Sequence, residues 1–200
     1  MNERIAEVIT NKLLYDLKEE RLTYIKISFY IETIISEIEK TILLIILFGI
    51  IGEIKSFVLI YMIAIFVRRY SGGNHCDTFL GCLVYSTISC VGIVLISKCI
   101  VYINNYFVIL TLMLHVVIMI LFAPIKSKFR PKLKGKDILE IKIKGLLGIV
   151  IVACIYLVIP KKYRIIIFLT LLFLLIDEIV ACWLNYLKMK GVIRNEENGS

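Results

Sequence analysis

The length and order of the apolar runs constrain this chain more than anything else in it. They cover residues 41–67, 81–103, 106–123, 145–159 and 165–187. A helix of about 20 apolar residues matches the hydrocarbon thickness of a bilayer. In hydrocarbon a helix satisfies its own backbone hydrogen bonds, which an irregular segment cannot. With 60% hydrophobic residues and a mean hydropathy of +0.89, the composition excludes a soluble domain. The expected class is therefore all-α: a polytopic membrane protein with about six membrane helices, preceded by amphipathic N-terminal helices. The net charge is +8. Its positive residues gather in connectors, which reads as topology and contact with membrane lipids, with no nucleic acid partner.

One integral-membrane domain is expected over 1–200. Residues 1–40 read as amphipathic interfacial helices, 41–187 as membrane helices and 188–200 as a cytoplasmic tail. In 3–21, Ile5, Val8, Ile9, Leu13 and Leu17 recur at helical spacing, with Glu7, Lys12, Glu19 and Glu20 opposite. Such a helix lies on the membrane or packs on the protein itself. Residues 24–39 repeat the pattern with Ile27, Ile31, Ile34, Ile35 and Ile38. No cleavable signal peptide is evident, because 1–21 is charged throughout. The run 41–67 is interrupted by Gly52-Glu53-Ile54-Lys55-Ser56. It is either one tilted helix or a hairpin of two short ones. Charges at mid-membrane cost at least ~2.5 kcal/mol each, which favours the hairpin.

The connector after Pro124 carries Lys126, Lys128, Arg130, Lys132, Lys134, Lys136, Lys142 and Lys144 against Asp137 and Glu140. By the positive-inside rule it is cytoplasmic. Two spans separate it from residues 68–82, so that stretch faces the cytoplasm too, as do both termini. Lys161, Lys162 and Arg164 then fall outside, an exception to the rule.

The stretch Arg68-Arg69-Tyr70-Ser71-Gly72-Gly73-Asn74-His75-Cys76-Asp77-Thr78-Phe79-Leu80-Gly81-Cys82 is the most polar segment directly between apolar runs. It holds one of two histidines and two of six cysteines. A thiol becomes a good nucleophile beside a base in positive surroundings. His75 and Cys82 are seven residues apart, which on one unbroken helix is roughly 10 Å of rise, too far for a nucleophile–base contact. Gly72-Gly73-Asn74 breaks the helix, and Asp77 or Thr78 caps a new one. His75 is then on a loop, and Cys82 is in the first turn or two of the helix, near its positive end. The plainer readings are a solvated histidine and buried free thiols. A zinc site from His75, Cys76 and Cys82 is disfavoured, since no C-x-x-C and no fourth ligand are evident.

The run Arg69-x-x-Gly72-Gly73-x-His75-x-x-Thr78-x-x-x-Cys82-x-x-x-Ser86 resembles the signature of the accessory gene regulator B (AgrB) family. These are membrane cysteine endopeptidases of Gram-positive bacteria that process a cyclic quorum-sensing peptide. The resemblance covers nearly the whole chain, including the Pro-containing basic loop. It implies that His75 and Cys82 are catalytic, at the cytoplasmic face of the cell membrane, with no cofactor and no metal. It also implies a short AgrD-like propeptide as substrate, a thioester on Cys82, thiolactone or lactone cyclisation, and a homodimer. Cys76 departs from the pattern, where a small residue such as Ala is expected, and puts a second thiol beside the base.

Supporting roles fall on several residues. Glu32 and Asp77 are candidates to orient His75. Arg69 is placed to anchor substrate carboxylates or lipid phosphate, and Ser86 closes the pattern. Lys126, Lys128, Arg130, Lys132 and Lys134 suit an acidic peptide, although a pure topology determinant has equal weight. Cys90, Cys99, Cys154 and Cys182 read as buried apolar residues, all thiols reduced. Asp177 and Glu178 lie inside the last span, where acids are functional candidates or pair with a basic residue. His115 reads as a core histidine donating to a backbone carbonyl. The alternatives to an enzyme are a small transporter or channel using Asp177, Glu178 and Lys98, or a membrane assembly factor. No inverted repeat supports the transporter.

Overall fold

The computed structural model describes residues 8–11, 21–72, 78–125 and 135–189. Among the described residues every regular element is a helix, as the composition requires. Residues 8–11 are helical. Six longer helices follow: α1 (Arg21–Ile50), α2 (Ile54–Ser71), α3 (Phe79–Cys99), α4 (Asn105–Leu121), α5 (Gly135–Val158) and α6 (Lys161–Met189). Of these, α3, α5 and α6 are long and apolar enough to cross a membrane, and α4 is a shorter apolar helix. The chain is a membrane protein.

The hairpin reading of 41–67 holds. The chain turns at Gly52, whose φ of +74° suits glycine. One boundary differs from expectation. Residues 24–39 do not end as a separate helix, because α1 continues without a break to Ile50. Glu39-Lys40-Thr41 contains no helix breaker, and Thr41 Oγ1 donates back to the Glu37 carbonyl at 2.7 Å. The fifth helix also begins earlier than its apolar run. Lys136, Lys142 and Lys144 belong to α5 and not to a loop. Lys144 pairs with Glu140 one turn back at 2.5 Å. Lys142 Nζ donates to the Ile120 carbonyl at 2.6 Å, which satisfies an orphan group in the last turn of α4.

Helix α2 is the hub and packs against α1, α3, α5 and α6. Ile63 and Val67 of α2 meet Val108, Val152, Ile167, Leu171 and Leu174 in one buried cluster. Phe57 and Ile60 meet Leu44 and Phe48 of α1, with Ile93, Val94 and Ile166, in a second. The approach of α5 to α2 depends on Gly148, where an added Cβ would stand 2.4 Å from the Phe66 carbonyl oxygen. Small residues at such crossings let membrane helices pack without a hydrophobic driving force.

At the end of the bundle away from residue 72, polar contacts tie the turns together. Lys98 Nζ bonds Glu53 Oε1 at 2.8 Å, and Ser56 Oγ donates to Glu53 Oε2 at 2.7 Å. Arg164 is one of the three positive residues that depart from the charge rule, and its position has a structural reason. It donates to the carbonyls of Ile159 and Leu157 at 3.3 and 3.1 Å and lies over the Tyr156 ring. It therefore caps the negative end of α5.

Candidate active site

The helix break that the Gly-Gly-Asn run predicts is present. Helix α2 stops at Ser71, and Gly72 caps it with φ +96° and its N–H on the Arg68 carbonyl at 3.0 Å. A side chain at Gly72 would be strained in φ and would press on Ile125, 3.2 Å from its Cβ. Ile125 N–H donates to the Ser71 carbonyl at 2.9 Å. The segment that leads into the basic connector is thus pinned to the end of α2, beside Gly72.

Helix α3 then begins with Thr78 as its N-cap. Thr78 Oγ1 accepts from Gly81 N–H at 3.1 Å, and the Thr78 carbonyl accepts from Cys82 N–H at 3.0 Å. Cys82 is therefore in the first turn, at the positive end of the helix dipole. Of the two capping residues that the sequence offered, Thr78 fills the role. His75, Cys76 and Asp77 lie outside the described residues, as do Lys126, Lys128, Arg130, Lys132 and Lys134.

The side chain that meets Cys82 comes from α1. Lys40 Nζ donates to Cys82 Sγ at 3.4 Å and pairs with Glu37 Oε1 at 2.5 Å. Lys40 is only 8% exposed. The direction of approach follows from helix geometry. Side chains lean toward the helix N-terminus, and Lys40 leans from the middle of α1 toward the end of the bundle where Cys82 lies. The sequence reading missed Lys40 because it divided the chain at residue 40. The signal was a lysine at the entrance of an apolar run, after Glu37 and Glu39.

Glu32 is eight residues before Lys40, about 12 Å further along the α1 axis. The α1 side chain at the thiol is Lys40; the role expected of Glu32 is toward His75, which lies outside the described residues. Ser86 lies one turn beyond Cys82 on α3, half-buried. Arg69 is exposed on the last turn of α2, whereas Arg68 turns inward to Asp177 Oδ2 at 3.5 Å. Among the described residues no group of three His, Cys, Asp or Glu could hold a metal ion.

The two acids of α6 occupy separate interfaces. Asp177 receives Arg68 from α2 and the Tyr85 hydroxyl from α3 at 3.1 Å. Glu178 Oε2 is 2.9 Å from His115 Nδ1. His115 Nε2 is 3.0 Å from the Leu171 carbonyl. A carbonyl only accepts, so Nε2 carries hydrogen. The Nδ1–Oε2 contact then holds one further proton, and the pair is neutral overall whichever atom bears it. This meets the expectation of a core histidine bonded to a carbonyl and of acids paired with basic groups. Lys98 is engaged with Glu53 at the far end of α3, whereas Asp177 and Glu178 are engaged with Arg68, Tyr85 and His115.

Helix count, apolar spans and a thiol at a capped helix start define a polytopic helical membrane protein with a cysteine-centred candidate site. The chain belongs to the AgrB family: it matches accessory gene regulator B over residues 2–180. It is 30% identical to an AgrB-like protein of Clostridium beijerinckii over 174 residues, 87% of this chain and 83% of that protein. It is 27% identical to one of Clostridium acetobutylicum over 80% of this chain and 76% of that protein. A Listeria welshimeri AgrB-like protein is 29% identical over 80% of this chain and 77% of its own length. No solved structure matches the chain.

Proposed function

We propose that this chain is a membrane cysteine endopeptidase that cleaves a short quorum-sensing propeptide through Cys82, with His75 as its base. The observation that carries the proposal is the placement of the Cys82 thiol. It sits in the first turn of a capped helix against a buried ammonium, the electropositive setting that reactive thiols occupy. His75 is in the five-residue interval between Gly72 and Thr78 that separates the two helices. The family pattern supports the pairing of His75 with Cys82.

In the proposed reaction His75 takes the proton of Cys82, and the thiolate sulfur attacks a peptide carbonyl carbon. A C–S bond forms and the C–N bond breaks. The proton on His75 goes to the leaving amine, and the C-terminal part of the peptide departs. The upstream part stays as a thioester. A Cys thiol (or Ser hydroxyl) within that part then attacks the thioester and closes the ring, and Cys82 leaves with a proton. Exclusion of water by the membrane protects the acyl group from hydrolysis. Asp77 or Arg69 would support the site as positioning or substrate-anchoring groups.

The basic connector would receive the charged tail of the peptide. The contact of Ile125 with Ser71 supports this, because it starts that connector beside Gly72. Raising salt would weaken peptide binding. By charge placement the site faces the cytoplasm of a Gram-positive cell, and the protein works as a homodimer.

The test is intact-mass analysis of the protein in liposomes mixed with its cognate precursor. An added mass equal to the N-terminal part of the peptide, lost in Cys82→Ala and kept in Cys76→Ala, supports the proposal. An adduct lost only in Cys76→Ala moves the nucleophile. No adduct and no cleavage by the folded protein overturns the enzyme reading.

A further inference from the structure

We infer that Lys40 is a catalytic residue that carries the positive charge for both the Cys82 thiolate and the oxyanion that follows it. The inference rests on the cysteine chemistry proposed above. Among the lysines whose side chains are described, Lys40 is the buried one. A buried ammonium in a membrane protein is expensive, and such residues mark functional sites with named partners. Its partners here are a half-exposed glutamate and the thiol. Glu37 alone does not require Lys40 to be buried, because the carboxylate is 48% exposed and within reach from the surface. The contact that draws the ammonium inward is Cys82.

The ammonium has three N–H donors. Two point at Glu37 Oε1 and Cys82 Sγ, which leaves the third for an incoming oxygen. The charge balance of the first step suits this arrangement. As the thiolate sulfur bonds to the carbonyl carbon, the sulfur loses its negative charge and the π electron pair moves to the carbonyl oxygen. The new oxyanion is two bonds from the sulfur. An ammonium already 3.4 Å from the sulfur needs only a small rotation to follow the charge. When the amine leaves, the pair returns to the carbonyl and Lys40 has gained and lost no proton. Lys40 thus acts as an electrophile and His75 as the proton carrier. Glu37 holds the ammonium in place between turnovers.

The test has two readouts. The first is alkylation of Cys82 at one pH by iodoacetate and by iodoacetamide, in the detergent-solubilised protein without substrate, read by peptide mass mapping. Both reagents need the thiolate, so their ratio reports local charge alone. Cys99, exposed at the other end of α3, is the internal reference. The second is cleavage of the cognate precursor. The expected result for Lys40→Gln is a several-fold fall in the iodoacetate-to-iodoacetamide ratio at Cys82 with no change at Cys99, and a loss of cleavage of about a hundredfold, as when one oxyanion donor is removed. Lys40→Arg keeps the ratio and recovers part of the cleavage. A Lys40→Gln protein with an unchanged ratio, or with wild-type cleavage, overturns the inference while leaving a Cys82 nucleophile in place. Wild-type cleavage by Cys82→Ala overturns the cysteine chemistry itself, and this inference with it.

Discussion

Tyr85 donates its hydroxyl to Asp177 Oδ1 at 3.1 Å, three residues past the candidate nucleophile. With Arg68 on the other carboxylate oxygen, this joins the end of α2, the start of α3 and the middle of α6. The two helices on either side of residues 73–77 are therefore held by one acid. Asp177→Ala would remove the buried carboxylate that Arg68 and Tyr85 share, at about 3 kcal/mol. Tyr85→Phe removes one hydrogen bond and costs about 1 kcal/mol. Thermal melts of both variants in one detergent should give that order. Equal melting temperatures would show that Asp177 does not hold the helices.

The His115–Glu178 pair makes a different prediction. Because Nε2 is committed to the Leu171 carbonyl, neutral His115 presents a bare Nδ1 to Glu178. A glutamine amide donates to that nitrogen, so Glu178→Gln should melt within about 1 kcal/mol of wild type. Glu178→Leu provides no donor and should lose about 1–3 kcal/mol, the desolvation cost of an unsatisfied nitrogen. If leucine is tolerated as well as glutamine, the pair contributes no structural hydrogen bond.

At the α2–α5 crossing, Gly148→Ala places a methyl group 2.4 Å from the Phe66 carbonyl oxygen. Backbone cannot swing aside as a side-chain tip can, so the helices must separate. A loss of about 1–3 kcal/mol is expected. Gly92→Ala, where an added Cβ meets nothing within 4 Å, is the control and should melt like wild type. A Gly148→Ala protein as stable as that control would mean the crossing is not close.

Glu53 supplies the pH dependence. Hydrogen bonds from Lys98 and then Ser56 to its ionised form hold its carboxyl below the ordinary 4.5. A carboxyl lowered in the folded state stabilises the fold above its unfolded value, and that stabilisation is lost as pH falls through the folded value. Wild type should therefore out-melt Glu53→Gln at neutral pH, and the gap should close progressively below about pH 4.5. A gap that widens on acidification would reverse the sign of the argument.

Much of this was legible in the sequence for reasons that can be named. Period and length separate spans from connectors, and Gly72 and Thr78 mark the break and the cap at the positions observed. The hairpin at Gly52 followed from the cost of charge in hydrocarbon. What escaped were contacts between elements far apart in the chain. Lys40 and Cys82 are 42 residues apart, and nothing in periodicity pairs one lysine among many with one thiol among six. Tyr85 and Asp177, 92 residues apart, escaped for the same reason. The boundaries of α1 and α5 were misplaced because an apolar window ends where charge begins, whereas a helix does not. Glu, Lys and Ile continue it freely.

The continuity of α1 makes that helix a lever. Its 30 residues form a rod about 45 Å long, with Leu44 and Phe48 clamped in the core and Lys40 one turn before that clamp. A rod with no break near its fulcrum transmits load. Any displacement of its outer turns would therefore shift the ammonium against a thiol fixed to a separate helix.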